Sequence, residues 1–518
     1  MKRIIILVLT ILSLSAQAWA APFSLSAGLQ GYQTRANTSQ VHISKFAILA
    51  QRASTSIRLV YGNYYKTGSN PQESGVGNTL NVRAAIEYAG VSYPIYFGGA
   101  RDKSLSDGAN TTSDPLSITV PADATFYIKT YCDASAGYYP TGYQQFAGGA
   151  VGLDRYVITY TVDSAGKTSA MADLDKIESV EPWASSSGWP PKSLYAPIAV
   201  LGDSGSNIKY ASVGVIGDST VVTNDLAYYR KTLDSRGFGY NDLDGAGWPS
   251  RLLRSMRIGT VSVSFGSERA LDFAGTNISR RLPLLSNLDY WLVIYGRNDL
   301  DGVTVLADLQ ARLLAIANLA IANGSKPIAT TIPPKSASSD LWGTVTNQTA
   351  DSTNAVRVQV NNWLRTVPAP FVACWDIADA IESARDSGKW AVGPNLYRGI
   401  VSTADATHIN ISAADWAVSD FAVDCLVSIV AGTGSGQIRL ISSNSTTQLV
   451  TTTSFATIPD ATSQFVIYPR FTLDGVHPSY AAHYAAFKAL RIPAVRDIIQ
   501  SKLGATGSGG KGTNAKRF

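Results

Sequence analysis

From Ala21 to about Pro191 apolar and polar residues alternate in short runs broken by Gly, Ser, Asn and Pro. Ser56-Ile57-Arg58-Leu59-Val60-Tyr61, Ser117-Ile118-Thr119-Val120 and Tyr156-Val157-Ile158-Thr159-Tyr160-Thr161 are examples. A period of two with frequent turn residues predicts antiparallel strands, and so an all-β, sandwich-like region over 21–191. Ser185 to Lys192, rich in Ser, Gly and Pro, reads as a linker.

The pattern then changes. Ala211–Ile216 is an apolar run but for Ser212, Trp291–Tyr295 is an unbroken one, and Pro327–Ile332 is apolar but for its threonines. Val303–Asn323 is Ala- and Leu-rich at helical spacing and is followed by Gly324, a helix stop signal. Pro370–Ile377 predicts a further strand, with a helix over Ala378–Arg385. Strands buried on both faces and alternating with helices predict a parallel sheet in an α/β domain, over 192–400 and 469–503. From 401 to 468 the alternation of two returns, as in Gln437–Ile441, Gln448–Thr451 and Gln464–Tyr468, and predicts a β insertion. A helical pattern resumes from Pro478 to Leu490, and 504–518 is a Gly/Ser-rich tail.

The first twenty residues read as a bacterial-type signal peptide: Lys2 and Arg3, an apolar stretch from Ile4 to Leu14, and Ala18-Trp19-Ala20 as the cleavage pattern. The apolar stretch is shorter than the ~20 residues a membrane helix needs. The expectation is therefore a secreted or periplasmic protein without a stable membrane anchor. The formal charge of +5 falls to +3 without Lys2 and Arg3, and to zero without Lys511, Lys516 and Arg517 of the tail. A neutral body offers no basic stripe for nucleic acid. The 25 tyrosines and 10 tryptophans would suit flat sugar-binding surfaces, although aromatic β-sheet core is the first reading. Cys132, Cys374 and Cys425 match no zinc spacing. A Cys374–Cys425 bridge is left open.

Three segments carry chemistry. Gly217-Asp218-Ser219 follows the first apolar run, Gly296-Arg297-Asn298-Asp299 follows the second, and Asp474-Gly475-Val476-His477-Pro478 lies near the end. In this order they supply a nucleophile, an amide donor for an oxyanion, and an acid–histidine pair. The chain has only 4 histidines. Both Ser219 and Asn298 fall just past a strand's carboxyl end, where parallel sheets place ligands. A second Gly202-Asp203-Ser204 is a rival, but Gly205-Ser206-Asn207 after it reads as a turn. Ser219 is followed by residues able to run helically through Leu226–Tyr229, and a helix N-terminus there would stabilise negative charge. His42, His408 and His483 read as satisfied or exposed histidines. No Gly-x-Ser-x-Gly elbow, Walker loop or His-Glu-x-x-His helix occurs.

These motifs, in this order, resemble the SGNH (GDSL) hydrolase superfamily over about Tyr195–Ser501, less the insertion. The resemblance implies a flavodoxin-like three-layer α/β/α domain. It also implies Ser219 as nucleophile, His477 as general base and Asp474 as its orienting acid. An oxyanion hole would be formed by the Ser219 and Gly266 N–H groups and the Asn298 amide. The glycine block departs from the family, because Val261–Arg269 contains no Asn. Gly266 is chosen since glycine lets backbone approach a ligand closely, but the same residues read equally as a strand-end turn. The expected activity is a carboxylic ester hydrolase needing no cofactor and no metal. Export and added β modules point to O-acetyl groups on a polysaccharide. The alternatives are a lipolytic esterase for longer acyl chains, or a carbohydrate-binding protein on a degenerate hydrolase scaffold.

Overall fold

The structure, a computed structural model, describes residues 23–25, 32, 34–38, 41–66, 72–134, 137–141, 158–162, 195–204, 210–221, 247–275, 278–286, 288–301, 305–412, 416–418, 420–421 and 424–500. The expected signal peptide, the 185–192 linker, the helix through Leu226–Tyr229 and the 504–518 tail lie outside the described residues.

Two antiparallel sheets make up most of the N-terminal region. One joins Phe23–Ser24, Ala199–Asp203, Ser54–Gly62 and Asn110–Thr112, with Leu116–Val120 also on Ser54–Gly62. The other joins Ile158–Val162, Val41–Leu49, Thr125–Asp133, Leu80–Tyr88 and Val91–Pro94. Alternation places Leu80, Val82, Ala84 and Ile86 inside, where they share a core with Ile57, Leu59 and Tyr61 of the first sheet. Tyr61 OH and Thr130 Oγ1 tie the sheets together at 2.7 Å. Strand Ala199–Asp203 belongs to this antiparallel sheet, so the expected boundary at 191/192 falls too early. Its apolar residues complete a β core, and the first parallel strand begins only at Ser212.

The α/β part is built on five parallel strands: Ser212–Gly217, Gly259–Ser262, Tyr290–Ile294, Lys326–Thr330 and Ala373–Trp375. Numbered along the chain their order in the sheet is 2-1-3-4-5, the flavodoxin-like order. The strands are almost wholly buried, and largely apolar, because both faces of the sheet are covered. Ile216, Val261, Trp291, Val293 and Ala329 face one way, against helices Ala270–Ala274, Leu306–Ala322 and Asn354–Arg365. Val213, Val215, Leu292, Ile294 and Ile328 face the other, against helices Trp248–Ser255, Ile377–Ile381 and Tyr480–Ala494. Three layers result. The outer edge, Gly259–Ser262, is covered by the N-terminal region: Ser24 Oγ donates to the Thr260 carbonyl at 2.8 Å. The helix expected over Ala378–Arg385 stops at Ile381, because Glu382 turns inward to a buried ion pair with Arg357.

The insertion is a seven-stranded antiparallel sheet running from Tyr397–Ile400 to Gln464–Pro469. It starts before 401 because Tyr397–Ile400 pairs with its last strand. It has its own core of Val401, Ile409, Val427, Ile429, Ile441 and Phe465, to which Tyr480 of the following helix contributes. Among the described residues no helix is long and apolar enough to cross a membrane.

Candidate active site

Ser219, Gly266 and Asn298 follow the carboxyl ends of parallel strands one, two and three, which are neighbours in the order 2-1-3. Position at the switch between strands one and three is thus set by topology before any side chain is considered. Gly217 ends the first strand, and Asp218 then turns the chain. Its Oδ1 accepts the Thr220 N–H at 2.9 Å and the Thr220 hydroxyl at 2.7 Å, while the Val221 N–H donates to its carbonyl. This tight side-chain turn holds Ser219 partly exposed above a buried base. Burial pushes the Asp218 carboxyl up to about 6, against the two Thr220 hydrogen bonds and the His477 charge that lower it.

Ser219 Oγ and His477 Nε2 are 2.9 Å apart, and His477 Nδ1 and Asp474 Oδ2 are 2.6 Å apart. The other Asp474 oxygen accepts the N–H groups of Val476 and His477 at 2.8 and 2.9 Å, so the carboxylate is oriented by backbone. Burial raises the Asp474 pKa, but the His477 ring and these two N–H groups outweigh it and hold the carboxyl well below the usual range. Asp474 therefore stays ionised and fixes Nδ1 as the protonated nitrogen, leaving Nε2 to accept from serine. The loop is pinned from below. Gly475 has φ +82°, its carbonyl accepts from Ser336 N–H at 3.1 Å and Trp390 Nε1 at 3.0 Å, and a Cβ there would lie 2.0 Å from the Ser336 carbonyl oxygen. Only glycine fits.

The Gly296 turn after strand three, with φ +122°, presents Asn298. Asn298 Nδ2 donates to the Glu268 carbonyl at 3.0 Å, which fixes the amide plane while leaving its second hydrogen. The next residue, Asp299, accepts the Ala270 N–H at 2.7 Å and is paired with Arg312. Asn298 and Asp299 thus both grip the turn that contains Gly266. That turn is anchored at its start by Phe265 N–H on the Gly217 carbonyl at 3.0 Å. Gly266 and Ser267 form its tip, with Ser267 at φ +60°. The structure therefore brings Ser219, His477 and Asp474 into one hydrogen-bonded series, and ties the Asn298 and Gly266 segments to each other and to the end of the serine strand.

The rivals lie elsewhere. Ser204 follows an antiparallel strand, where the Asp203 backbone is bonded to Ser54 Oγ at 3.0 Å. Asp405 and His408 form a second Asp-x-x-His pair in the insertion, Nδ1 to Oδ1 at 2.8 Å, with Thr407 beside the ring. His483 is fully buried, and its Nδ1 accepts the Trp248 N–H at 3.2 Å. Burial, aided by the Arg251 and His477 charges, lowers its pKa to about 3, so it stays neutral. The side chain of His42 lies outside what is described. Cys374 and Cys425 are free thiols, with Cys374 in the fifth parallel strand and Cys425 in the insertion sheet. Glu268, Arg281 and Tyr295, buried under the Gly266 turn, gave no signal in the sequence; nothing in Arg280-Arg281 or Ser267-Glu268 has a motif's spacing.

No family model and no curated protein matches the chain. Among solved structures it is similar to a member of the lipolytic protein G-D-S-L family from Veillonella parvula. The identity is 14%, over 35% of this chain and 92% of that one, with a TM-score of 0.25. It is also similar to a carbohydrate acetylesterase family member from Sinorhizobium meliloti, at 13% identity over 56% of this chain and 100% of that one, with a TM-score of 0.29.

Proposed function

We propose that the chain is a serine ester hydrolase of SGNH type, exported by its N-terminal signal. The observation that carries this is the Ser219–His477–Asp474 series at the carboxyl ends of the parallel strands. In this reading Ser219 Oγ attacks the ester carbonyl as His477 Nε2 takes its proton. The oxyanion is met by the N–H groups of Ser219 and Gly266 and by Asn298 Nδ2. Collapse breaks the bond to the alcohol, which leaves with the proton from His477. Water then attacks the acyl-serine, giving its proton to His477, and the acid departs as Ser219 Oγ takes that proton back.

For the substrate we propose O-acetyl esters on a polysaccharide, with no nucleic acid partner. An α/β site flanked by two β regions on an exported chain supports a polymer, and the finer assignment rests on analogy. Hydrolysis of p-nitrophenyl acetate but not of the octanoate ester would support it. Preference for octanoate would favour the lipolytic alternative. Covalent labelling of Ser219 by a fluorophosphonate tests the esterase reading itself, since a carbohydrate-binding protein on an inactive scaffold would not be labelled. Every step uses backbone and side-chain groups of the chain and water, so EDTA should leave the rate unchanged. Loss on chelation, restored by a divalent ion, would overturn the serine route.

A further inference from the structure

Beneath the Gly266 turn lies a set of buried charges that the steps above do not use. Glu268 is fully buried, and its carboxylate accepts Arg281 Nη1 and Nη2 at 2.9 and 2.8 Å and the Tyr295 hydroxyl at 2.6 Å. Lys66 Nζ lies 3.4 Å from the same carboxylate, with neither side chain exposed. Arg281 lies over the Phe265 ring at 4.6 Å, donates through Nη1 to the Val263 carbonyl at 2.9 Å, and through Nε to Glu73. The second Glu73 oxygen accepts the Arg280 N–H at 2.8 Å. Two cations face two carboxylates, and Lys66 and Glu73 come from the N-terminal β region.

Glu268 stands two residues after Gly266, and its own carbonyl is the acceptor that orients Asn298 Nδ2. Holding its side chain therefore holds two of the three proposed oxyanion donors, Gly266 and Asn298. Gly266 and Ser267 form a turn outside any ladder, and both of its ends are held. Phe265 N–H on Gly217 fixes one end and the carboxylate cage fixes the other. A two-pronged arginine–carboxylate contact sets angle as well as distance, which apolar packing does not. We infer that Glu268 and its cage of Arg281, Tyr295, Lys66 and Glu73 are positioning residues for the oxyanion donors, which makes the N-terminal β region part of the esterolytic machinery. This rests on the serine esterase reading above.

The test uses the full chain with Tyr295→Phe, which keeps the ring and removes one bond to Glu268, and Glu73→Gln, which weakens the contribution of the β region. Each should lower kcat on an acetyl ester by ~10–100-fold, part of what losing a donor costs, with KM within about twofold. The midpoint of the pH–rate profile should stay where it is, because His477 and Asp474 are untouched. Should Glu73→Gln fail to fold, Tyr295→Phe decides. A folded variant with wild-type kcat, or a loss confined to KM, would overturn the cage's role. Ser219→Ala is assayed alongside: if it keeps full activity, the esterase reading falls and this inference with it. An inactive Ser219→Ala beside wild-type kcat in the cage variants overturns the cage alone.

Discussion

His477 Nε2 stands 2.9 Å from Ser219 Oγ across 258 residues of chain, the insertion sheet lying between them in sequence. A parallel sheet makes this possible, because every strand delivers its carboxyl end to the same side. Ser219→Ala should abolish ester hydrolysis and leave folding intact, since the hydroxyl is half-exposed and carries no core packing. Ser204→Ala should keep near-wild-type activity, as that residue follows a strand of the antiparallel sheet. Assay of the pair on an acetyl ester checks both. A dead Ser204→Ala would move the nucleophile.

Asn298→Ala should reduce kcat by ~10²–10³-fold with little change in KM, as expected for a donor acting on developing charge. Its bond to the Glu268 carbonyl makes the amide preorganised rather than recruited by substrate. Steady-state kinetics decide this. A change in KM alone would make Asn298 a residue that merely holds substrate.

Asp474→Asn should keep the fold but lower kcat by ~10³–10⁴-fold, by allowing the imidazole the wrong tautomer. Asp474 is held well below the carboxylate range, so in the wild type it contributes no titration near neutrality. The wild-type rate should rise from acid to mildly alkaline pH as the imidazole loses its proton, and then level off. The pH–rate profiles of both proteins test this. A wild-type rate that falls over that interval would rule out a neutral histidine as base.

The strands leading to Ser219 and Asn298 were legible because burial on both faces leaves runs that are apolar almost throughout. The helix Leu306–Ala322 was legible because Leu309, Leu313, Ile316, Ala317 and Ala320 recur on one face. The strand Gly259–Ser262 was not, being four residues long with two of them polar. The helix Asn354–Arg365 was hidden by Val356, Val358 and Val360, which favour strands, until packing chose the face holding Val360 and Leu364. Ala199–Asp203 fell within the range assigned to the α/β domain because local pattern cannot say which sheet a strand joins. Asp-x-x-His shows the same limit. Asp405–His408 and Asp474–His477 have equal spacing and closely similar ring–carboxylate contacts, yet of the two only His477 is bonded to a serine. Spacing sets the pair; topology sets what it faces.

Asp218 offers a test by stability rather than rate. Its folded pKa is raised to about 6 by burial, above the ~3.9 of an unfolded aspartate. Between these values the folded state binds more protons than the unfolded one, so stability falls as pH rises. The contribution is fully present below ~3.9 and lost as pH passes about 6. Asp218→Asn keeps an oxygen to accept from Thr220 but cannot ionise. Any constant effect of the amide group cancels when two pH values are compared. Relative to wild type the variant should therefore gain on the order of 2–3 kcal/mol in unfolding free energy between pH 4 and pH 8. Urea unfolding of both proteins at the two pH values measures that difference directly. A difference independent of pH would show that Asp218 is not held in a site that resists its charge.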